Sequence, residues 1–581
     1  MNEEELKMYR HGCAHVLAKA VDKIFTNVKN TIGPAIEDGF YYDFDLEESI
    51  TPEFFKKIEK EMKNIISRDE KFERMEVSKA KALEMFKDNP YKMEIINELP
   101  EDEIISVYTL GDDWCDLCRG PHVKSSKELK NFSFKINRVS GAYWRGSEKN
   151  KMLQRVYVFG FENDEKLNEH LELLEEIKKR DHRKLGKDLG IFMFNDLVGK
   201  GLPMWLPNGF LLRRELNDYI MNKELSLGYQ HIMTPSLASV DLYKTSGHWD
   251  HYHEDMFPVM EREEEAYVLR PMNCPHHMMV YKNFLHSYKD LPIRIAEIAN
   301  DFRFEGSGSL CGIERVRCFT QNDSHIFCRP DQIKDEVNGV IKLILDVYKD
   351  FGFENFEFRL SLRDKNNVEK YFGNDDLWEK SESALREILT ESGAKFYEAE
   401  GEAAFYGPKI DVQVKSVLGH DVTLSTVQLD YQLPERFELE YTDENNQRVR
   451  PVVIHRAILG SLDRFVAFLL EETAGNFPLW LAPVQLKVMN INDACLDYSK
   501  EVVSKLKANR FRVELDDRNE KIGKKIREAQ LQKINYMLVV GEREVADGTV
   551  GVRSRSKGDL GAQKLEDFIK LIEEERDNRI K

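Results

Sequence analysis

Two pairs of side chains near the amino terminus have the types and spacing for chemistry. R-H-G-C-A-H-V-L opens a helical run in which His11 and His15 stand four apart, and C-D-L-C-R-G-P-H repeats that interval with Cys118 and His122. Residues four apart share one face of a helix. Three imidazoles and a thiol make a tetrahedral zinc set. They serve equally as a hydrolytic pocket in which imidazoles order or activate a water. Cys115 and Cys118 form a C-x-x-C, but without the strand–helix context of a redox motif. A further group is cationic. I-R-I-A-E-I-A-N-D-F-R-F-E-G-S-G-S and E-R-V-R-C-F-T-Q-N-D-S-H-I-F flank a Gly/Ser loop, the pattern of a two-stranded hairpin. Strand alternation predicts Arg303, Glu305, Arg315 and Arg317 on one face. Paired guanidinium donors suit phosphates, although a surface ion-pair ladder has the same alternation. Arg464 arrives later, in P-V-V-I-H-R-A-I-L-G-S-L-D-R-F.

The elements that must position these groups are legible in outline. Apolar residues at 167, 171, 174 and 177 within dense charge predict a solvated connector helix over 163–190, stopped by Gly186 and Gly190. F-L-L-R-R-E-L-N-D-Y-I-M-N-K-E-L-S-L-G-Y-Q-H-I-M-T-P reads as an amphipathic helix, a glycine break and a strand meeting Pro235. After residue 480, strand-like runs (L-K-V-M-N-I-N, F-R-V-E-L-D, Y-M-L-V-V-G, T-V-G-V-R-S-R) alternate with helical ones, which predicts a small α/β domain.

The totals set limits. A chain of 581 residues holds several domains, and 41% hydrophobic with 32% charged residues is a soluble globular composition. No apolar run approaches a membrane span, and M-N-E-E-E-L-K is no signal peptide, so a cytoplasmic protein is expected. Eight cysteines fit a reduced compartment better than a disulfide framework. A net charge of −18 argues against wholesale nucleic-acid coating but leaves local basic patches for RNA. No complete G-x-x-x-x-G-K-[ST] is present, so any ATP is bound without a P-loop.

F-R-x-E on a hairpin, with G-x-x-x-R from Gly460 to Arg464 opening a late helix, resembles motifs 2 and 3 of the class II aminoacyl-tRNA synthetases. R-P-M-N-C-P, R-V-R-x-F-T-Q-x-D-x-H-I-F, F-Y-G-P-K-I, L-P-E-R-F and H-R-A-I-L-G-S resemble its threonyl-tRNA synthetase family over essentially the whole chain. The resemblance implies an α+β multidomain protein: an editing domain at 1–162, a linker helix at 163–190, an antiparallel-sheet catalytic domain at 191–480 whose motif 1 forms a homodimer interface, and an α/β anticodon-binding domain at 481–581. The family's usual ubiquitin-like domain has no counterpart in these residues, and H-x-x-x-H arrives at residue 11.

The same resemblance implies roles. Threonine is activated with ATP and Mg²⁺ to an adenylate and passed to tRNA(Thr). Arg303 holds the α-phosphate, Arg464 the γ-phosphate, and Glu305 accepts from the adenine amino group. Arg315 and Gln321 are further contacts. Cys274, His325 and His455, a set that spacing alone does not single out, bind one Zn²⁺, whose open position takes the threonine amino and hydroxyl groups. Asp323 and Tyr406 contact those groups, and Lys409 and Gln428 line the pocket. His248 handles the ribose 2′-hydroxyl proton. His11, His15, Cys118 and His122, with Lys92 and Asp116 nearby and Gly33 and Tyr42 in the wall, form a metal-free site that hydrolyses seryl-tRNA; S-G-A-Y-W-R-G belongs to that domain. Asn519, Glu544 and Arg553 read the anticodon.

Three departures from the family pattern are visible. Pro-His-His follows Cys274 where Pro-Gly-His is usual, making His276 a rival ligand. R-F-E-G-S-G stands for R-N-E-P-S-G. T-L-S-T-V-Q places Thr423 where a glutamine is common. The rivals are a serine or proline ligase of the same class, a silent synthetase-like RNA-binding regulator, and a free-standing aminoacyl-tRNA hydrolase.

Overall fold

The first helix, Glu3–Ile24, starts on a capping box: the Asn2 side chain accepts from Glu5 N–H at 2.9 Å and the Glu5 carboxylate accepts from Asn2 N–H at 3.0 Å. The computed structural model describes residues 1–580 apart from 101–102, 368, 372–374 and 418. Among these, the chain divides into two compact units, Met1–Glu175 and Glu176–Lys581.

In the first unit the Glu3–Ile24 helix buries Cys13, Ala14, Val16, Leu17 and Val21 with Phe40, Tyr42 and Phe44 of the Gly39–Asp45 strand. That strand pairs antiparallel with Met152–Phe161, which pairs with Ser133–Tyr143. A separate antiparallel sheet runs Phe72–Val77, Ile105–Leu110, Cys115–Leu117 and ends just before Cys118.

The connector is two helices rather than one. Asp164–Arg180 ends at Asp181, whose carboxylate accepts from Arg183 N–H at 2.8 Å and caps a second helix, His182–Asp188. Gly186 sits inside that helix, beneath the Phe192 ring, where a Cβ would come within 2.2 Å. Gly190, at φ +63°, is the stop.

The second unit is built on an eight-stranded sheet in the order Gln230–His231, Ile293–Phe302, Cys318–Cys328, Val452–Ser461, Asp421–Asp430, Lys409–Lys415, Phe356–Leu362, Phe396–Glu400. The inner pairings are all antiparallel and only the two edge strands pair parallel. The helices Pro207–Ser226, Ile333–Phe351 and Leu462–Thr473 cover it through one core that includes Leu212, Leu216, Ile344, Val347, Phe465 and Phe468. As the sequence predicts, Gly228 breaks the chain at φ +81° between the Pro207–Ser226 helix and the Gln230–His231 strand.

The hairpin forms, but its arginines are not on it. Ile293–Phe302 ends before Arg303, and Cys318–Cys328 starts after Arg317, so all four charged residues lie in the connecting loop. Arg303 N–H donating to Arg317 O at 3.0 Å extends the ladder by one bond. Arg317 then departs from the expected face: its guanidinium stacks over Phe304 at 4.2 Å and donates to Glu305 O.

The tail carries a five-stranded sheet. Val513–Asp516, Leu486–Asn490 and Tyr536–Val540 are parallel, and Thr549–Ser554 and Gly558–Lys564 follow antiparallel. The helices Leu496–Ala508 and Leu565–Asp577 pack on it, giving the α/β arrangement read from the sequence.

Candidate active and hydrolytic sites

Strands of the eight-stranded sheet and the Cys274–Lys282 helix converge on a cavity of about 520 Å³ lined by Cys274, Arg303, Gln321, Asp323, Tyr406, Lys409, Gln428, His455 and Arg456. Cys274 opens the Cys274–Lys282 helix, and His325 and His455 are register partners on adjacent strands. The ligand atoms of Cys274, His325 and His455 all lie within 4.8 Å of one another, and all three residues are buried. His455 Nε2 is 2.8 Å from Asp430 Oδ2, and His325 Nδ1 is 2.8 Å from His277 Nδ1. The opposite nitrogens, His325 Nε2 and His455 Nδ1, are buried without a hydrogen-bond partner. Unpaired buried nitrogens facing a thiol are costly unless something binds them. A soft sulfur and two imidazoles are a donor set for zinc. Burial holds His325 neutral and, with hydrogen bonds and charge opposing it, also lowers His277.

His276 does not belong to this cluster. Its Nδ1 has no hydrogen-bond partner and its ring packs edge-on to Tyr243 at 6.4 Å. The neighbour that touches the site is His277, whose Nε2 lies 3.1 Å from Glu297 Oε2.

Around the cavity, Tyr406 donates to Gln428 Oε1 at 2.5 Å and stacks on His455 at 4.9 Å. Lys409 pairs with Asp411 at 3.0 Å. Burial, then the nearby Asp301 charge, pushes the Asp323 carboxyl up to about 8. Burial likewise pushes Asp301 up to about 7, against the Arg270 and Arg303 charges.

A second cavity, about 300 Å³, is lined by Arg303, Glu305, Arg315, Phe319, Gln321, Thr423, Gly460 and Arg464. Arg303, Gln321, Lys409, Thr426 and Gln428 line both cavities, so the two adjoin. Arg303 donates to Pro271 O at 3.3 Å and lies over Phe319 at 5.1 Å. Arg315 grips Glu305 Oε2 through two nitrogens, at 2.9 and 2.8 Å. Gly460, at φ +59°, lets the chain turn where a Cβ would sit 2.6 Å from Leu424 O. Ser461 caps the next helix by accepting from Arg464 N–H at 3.3 Å, and buried Asp463 anchors that turn to Arg213 at 3.0 Å.

His248 does not reach either cavity. It is fully buried, its Nδ1 lies 2.8 Å from Ser246 Oγ, and its ring is edge-on to Phe405 at 5.4 Å. Burial depresses it to about 3. His251, three residues on, lines the first cavity.

In the first unit, His11, His15, Cys118 and His122 place their ligand atoms within 4.8 Å of one another. Cys118 Sγ is 3.3 Å from His11 Nε2 and 3.1 Å from His122 Nε2. Burial pushes the thiol up to about 11, so it stays protonated and donates to an imidazole. Burial also lowers His11, His15 and His122. Neutral imidazoles are bases. His122 lies flat on Phe72 at 5.3 Å, and His15 meets Trp114 edge-on at 5.3 Å. Asp116 collects Lys92 at 2.5 Å and the Tyr42 hydroxyl, and stands 3.8 Å from His15. Gly33 runs over the Tyr42 ring, where a Cβ would come within 2.1 Å. The six residues expected here are thus together.

In the tail, Asn519 and Glu544 follow the carboxyl ends of two parallel strands, Val513–Asp516 and Tyr536–Val540. That edge is where α/β sheets place ligands. Arg553 lies elsewhere, paired with Met537 and bonded to Asp559 at 3.1 Å.

Comparison with known proteins decides the family. Residues 257–473 match the tRNA synthetase class II core domain (G, H, P, S and T), 485–575 an anticodon binding domain, and 105–157 the threonyl and alanyl tRNA synthetase second additional domain. The threonine–tRNA ligase of Geobacillus sp. (strain WCH70) is 54% identical over 575 residues, 98% of this chain and 89% of its own. That of Halalkalibacterium halodurans is 55% identical over 579 residues, 99% of this chain and 89% of its own. The chain belongs to the threonine–tRNA ligase family. Among solved structures, the RNA binding domain of threonyl-tRNA synthetase from Cryptosporidium parvum Iowa II is 40% identical with a TM-score of 0.65, covering 68% of this chain and 98% of its own. The α+β class II architecture, with its anticodon-binding and second additional domains, is therefore that of a threonine–tRNA ligase.

Several residues of this ligase site escaped the sequence reading. Asp430, His277 and Glu297 stand behind His325 and His455, and Phe319 forms a flat wall of the second cavity. Glu297 alone carried a local signal, an acid inside an apolar strand.

Proposed function

We propose that the second unit joins threonine to ATP as an adenylate and passes the acyl group to tRNA(Thr), while the first unit hydrolyses seryl-tRNA. The adjoining cavities carry this reading, since an amino-acid pocket and a phosphate pocket share Arg303 at their border. Attack by the carboxylate concentrates charge on phosphate oxygens, and fixed cations aimed there are the main requirement. Arg303 holds the α-phosphate, Arg464 the γ-phosphate. Glu305 turns from Arg315 to accept from adenine, which stacks on Phe319, and Gln321 orients the substrate. Mg²⁺ accompanies ATP.

Cys274 Sγ, His325 Nε2 and His455 Nδ1 would hold one Zn²⁺, which supplies a Lewis-acid position for the threonine amino and hydroxyl groups. Asp323 and Tyr406 bind those same groups, and Lys409 and Gln428 close the pocket. Valine is the methyl isostere of threonine, so a hydroxyl-dependent contact is what rejects it. Serine lacks only a methyl, worth roughly 1–3 kcal/mol, and must be removed afterwards. His11, His15, Lys92, Asp116, Cys118 and His122 fit that task, with neutral imidazoles to take a proton from water.

Asn519 and Glu544 read anticodon bases, and Arg553 supplies a more distant contact. Exposed Phe210 and Met233, both in the segment read as motif 1, favour a second copy of the chain there. No described helix is long and apolar enough to cross a membrane, which suits a cytoplasmic enzyme. ATP–pyrophosphate exchange with threonine, serine and valine in parallel tests the reading. Exchange with threonine, weaker exchange with serine and none with valine is expected; no exchange with threonine overturns it.

A further inference from the structure

We infer that Glu297, acting through His277, is a positioning residue that sets which nitrogen of His325 is free to bind metal. The inference rests on the zinc reading above. Glu297 stands on the Ile293–Phe302 strand, and the groups hydrogen-bonded to its carboxylate, His277 aside, are donors. Oε1 accepts from Thr234 N–H at 2.8 Å and from the Thr234 hydroxyl at 3.1 Å, with Arg270 Nη1 at 3.5 Å. Oε2 accepts from the same hydroxyl at 2.9 Å and from Asn273 Nδ2 at 3.3 Å. His277 Nε2 is 3.1 Å from Oε2. Asn273 Nδ2 also lies 3.3 Å from that nitrogen, but a lone pair there would point at the closer carboxylate oxygen at 3.1 Å, so its proton lies on Nε2.

A neutral imidazole has one N–H and one lone pair. With the proton on Nε2, His277 Nδ1 is an acceptor. It lies 2.8 Å from His325 Nδ1, which must therefore donate. The lone pair of His325 then falls on Nε2, the buried nitrogen with no hydrogen-bond partner and Asp323 Oδ2 at 4.0 Å. His277 sits three residues after Cys274 on one helix, so a single element delivers a thiol and the relay that orients an imidazole on the neighbouring strands. His455 is set the opposite way. Its Nε2 donates to Asp430 Oδ2 at 2.8 Å, leaving Nδ1 free. Carboxylates behind ligand histidines fix their tautomer in this manner.

Glu297→Gln discriminates a tautomer relay from simple packing. Thr234 N–H keeps the amide oxygen at the Oε1 position, which puts the NH₂ against His277 Nε2. Each proton along the chain then moves one nitrogen over, and His325 Nε2 becomes protonated. His277→Phe keeps ring volume and merely removes the relay, leaving His325 free to choose. Zinc affinity is read on the full-length protein by competition with a colorimetric chelator, alongside the absorption spectrum of the Co²⁺-substituted protein. Glu297→Gln is expected to bind roughly ten- to a hundred-fold more weakly, and His277→Phe less weakened than that. Wild-type affinity in Glu297→Gln overturns the relay, as does a His277→Phe weaker than Glu297→Gln. A wild-type chain that binds no zinc overturns the metal reading and the relay together. Neutron diffraction from zinc-loaded wild-type crystals needs no variant. Protons on His277 Nε2 and His325 Nδ1 support the relay, and a proton on His277 Nδ1 refutes it.

Discussion

Arg456 and Glu224, neither with any exposed surface, share an ion pair of 2.6 Å. It ties the Pro207–Ser226 helix to the strand that carries His455. Glu224 also accepts from Asn322 Nδ2 at 2.8 Å and has His231 Nε2 at 2.8 Å. Burial alone would raise its carboxyl, but Arg456, His231 and Asn322 together hold it below the usual range. Arg456 has fewer partners: its Nε and Nη2 have no hydrogen bond, and its guanidinium lies over Tyr229 at 4.3 Å. Glu224→Gln keeps the shape and removes the charge that compensates Arg456. Breaking one side of a buried pair costs about 3–5 kcal/mol. Urea unfolding of the second unit is expected to shift by that amount, whereas Glu224→Gln combined with Arg456→Met recovers much of it.

The shared border of the two cavities makes a kinetic prediction. Arg303→Ala and Arg464→Ala each remove a fixed cation from developing phosphate charge, at a cost of about 3–4 kcal/mol, or roughly a hundred- to a thousand-fold in rate. Pyrophosphate exchange should fall by that factor in both. Arg315→Ala should act differently. It releases Glu305 from its two contacts at 2.9 and 2.8 Å, so the change is expected mainly in KM for ATP. A kcat loss equal to that of Arg303→Ala would refute the assignment of Arg315 to binding.

Much of this arrangement is legible in the sequence because its phrases are local. H-x-x-x-H falls on one helix face, and G-x-x-x-R marks a capped helix start. The α/β tail follows from alternating runs. What the sequence hides is side-chain direction at the ends of elements. Arg317 shares the parity of Arg315 and yet turns to Phe304, because both lie in the loop, where strand alternation no longer applies. His276 and His277 are indistinguishable as letters. The helix sends one toward Tyr243 and the other to His325. His248 is polar by type and fully buried in fact. Glu224 and Arg456 are 232 residues apart, and only the folded sheet shows them as a pair.

The hydrolytic pocket predicts a gain of error rather than a loss of charging. Cys118→Ala removes the thiol bridging His11 and His122 at 3.3 and 3.1 Å and leaves every residue of the amino-acid and phosphate cavities in place. Seryl-tRNA should accumulate while threonyl-tRNA forms at the wild-type rate. Lys92→Ala should act in the same direction by releasing Asp116, and through it Tyr42. Unchanged seryl-tRNA in both variants would remove this pocket from the editing reaction.

The same pocket should make the first unit acid-sensitive. Burial lowers His15 and His122 below 6.5, the value such groups take in an unfolded chain. As pH falls through 6.5 the unfolded state takes up protons that the folded state refuses. Stability therefore rises with pH in that window and is lost as pH falls, by up to about 1.4 kcal/mol per pH unit for each histidine. The Asp116 charge moderates the effect at His122 without reversing it, since burial remains the largest influence on both imidazoles, and the His11 and Lys92 charges lower His15 further. Hydrogen exchange on the full chain, followed from pH 7.5 to pH 5, should show protection of the Glu3–Ile24 helix falling faster than that of Leu462–Thr473, after correction for the intrinsic rate. His122→Phe keeps a flat ring beside Phe72 and cannot take a proton in the unfolded state. It should flatten the slope by one proton's worth, and an unaltered slope would show that His122 titrates alike in both states.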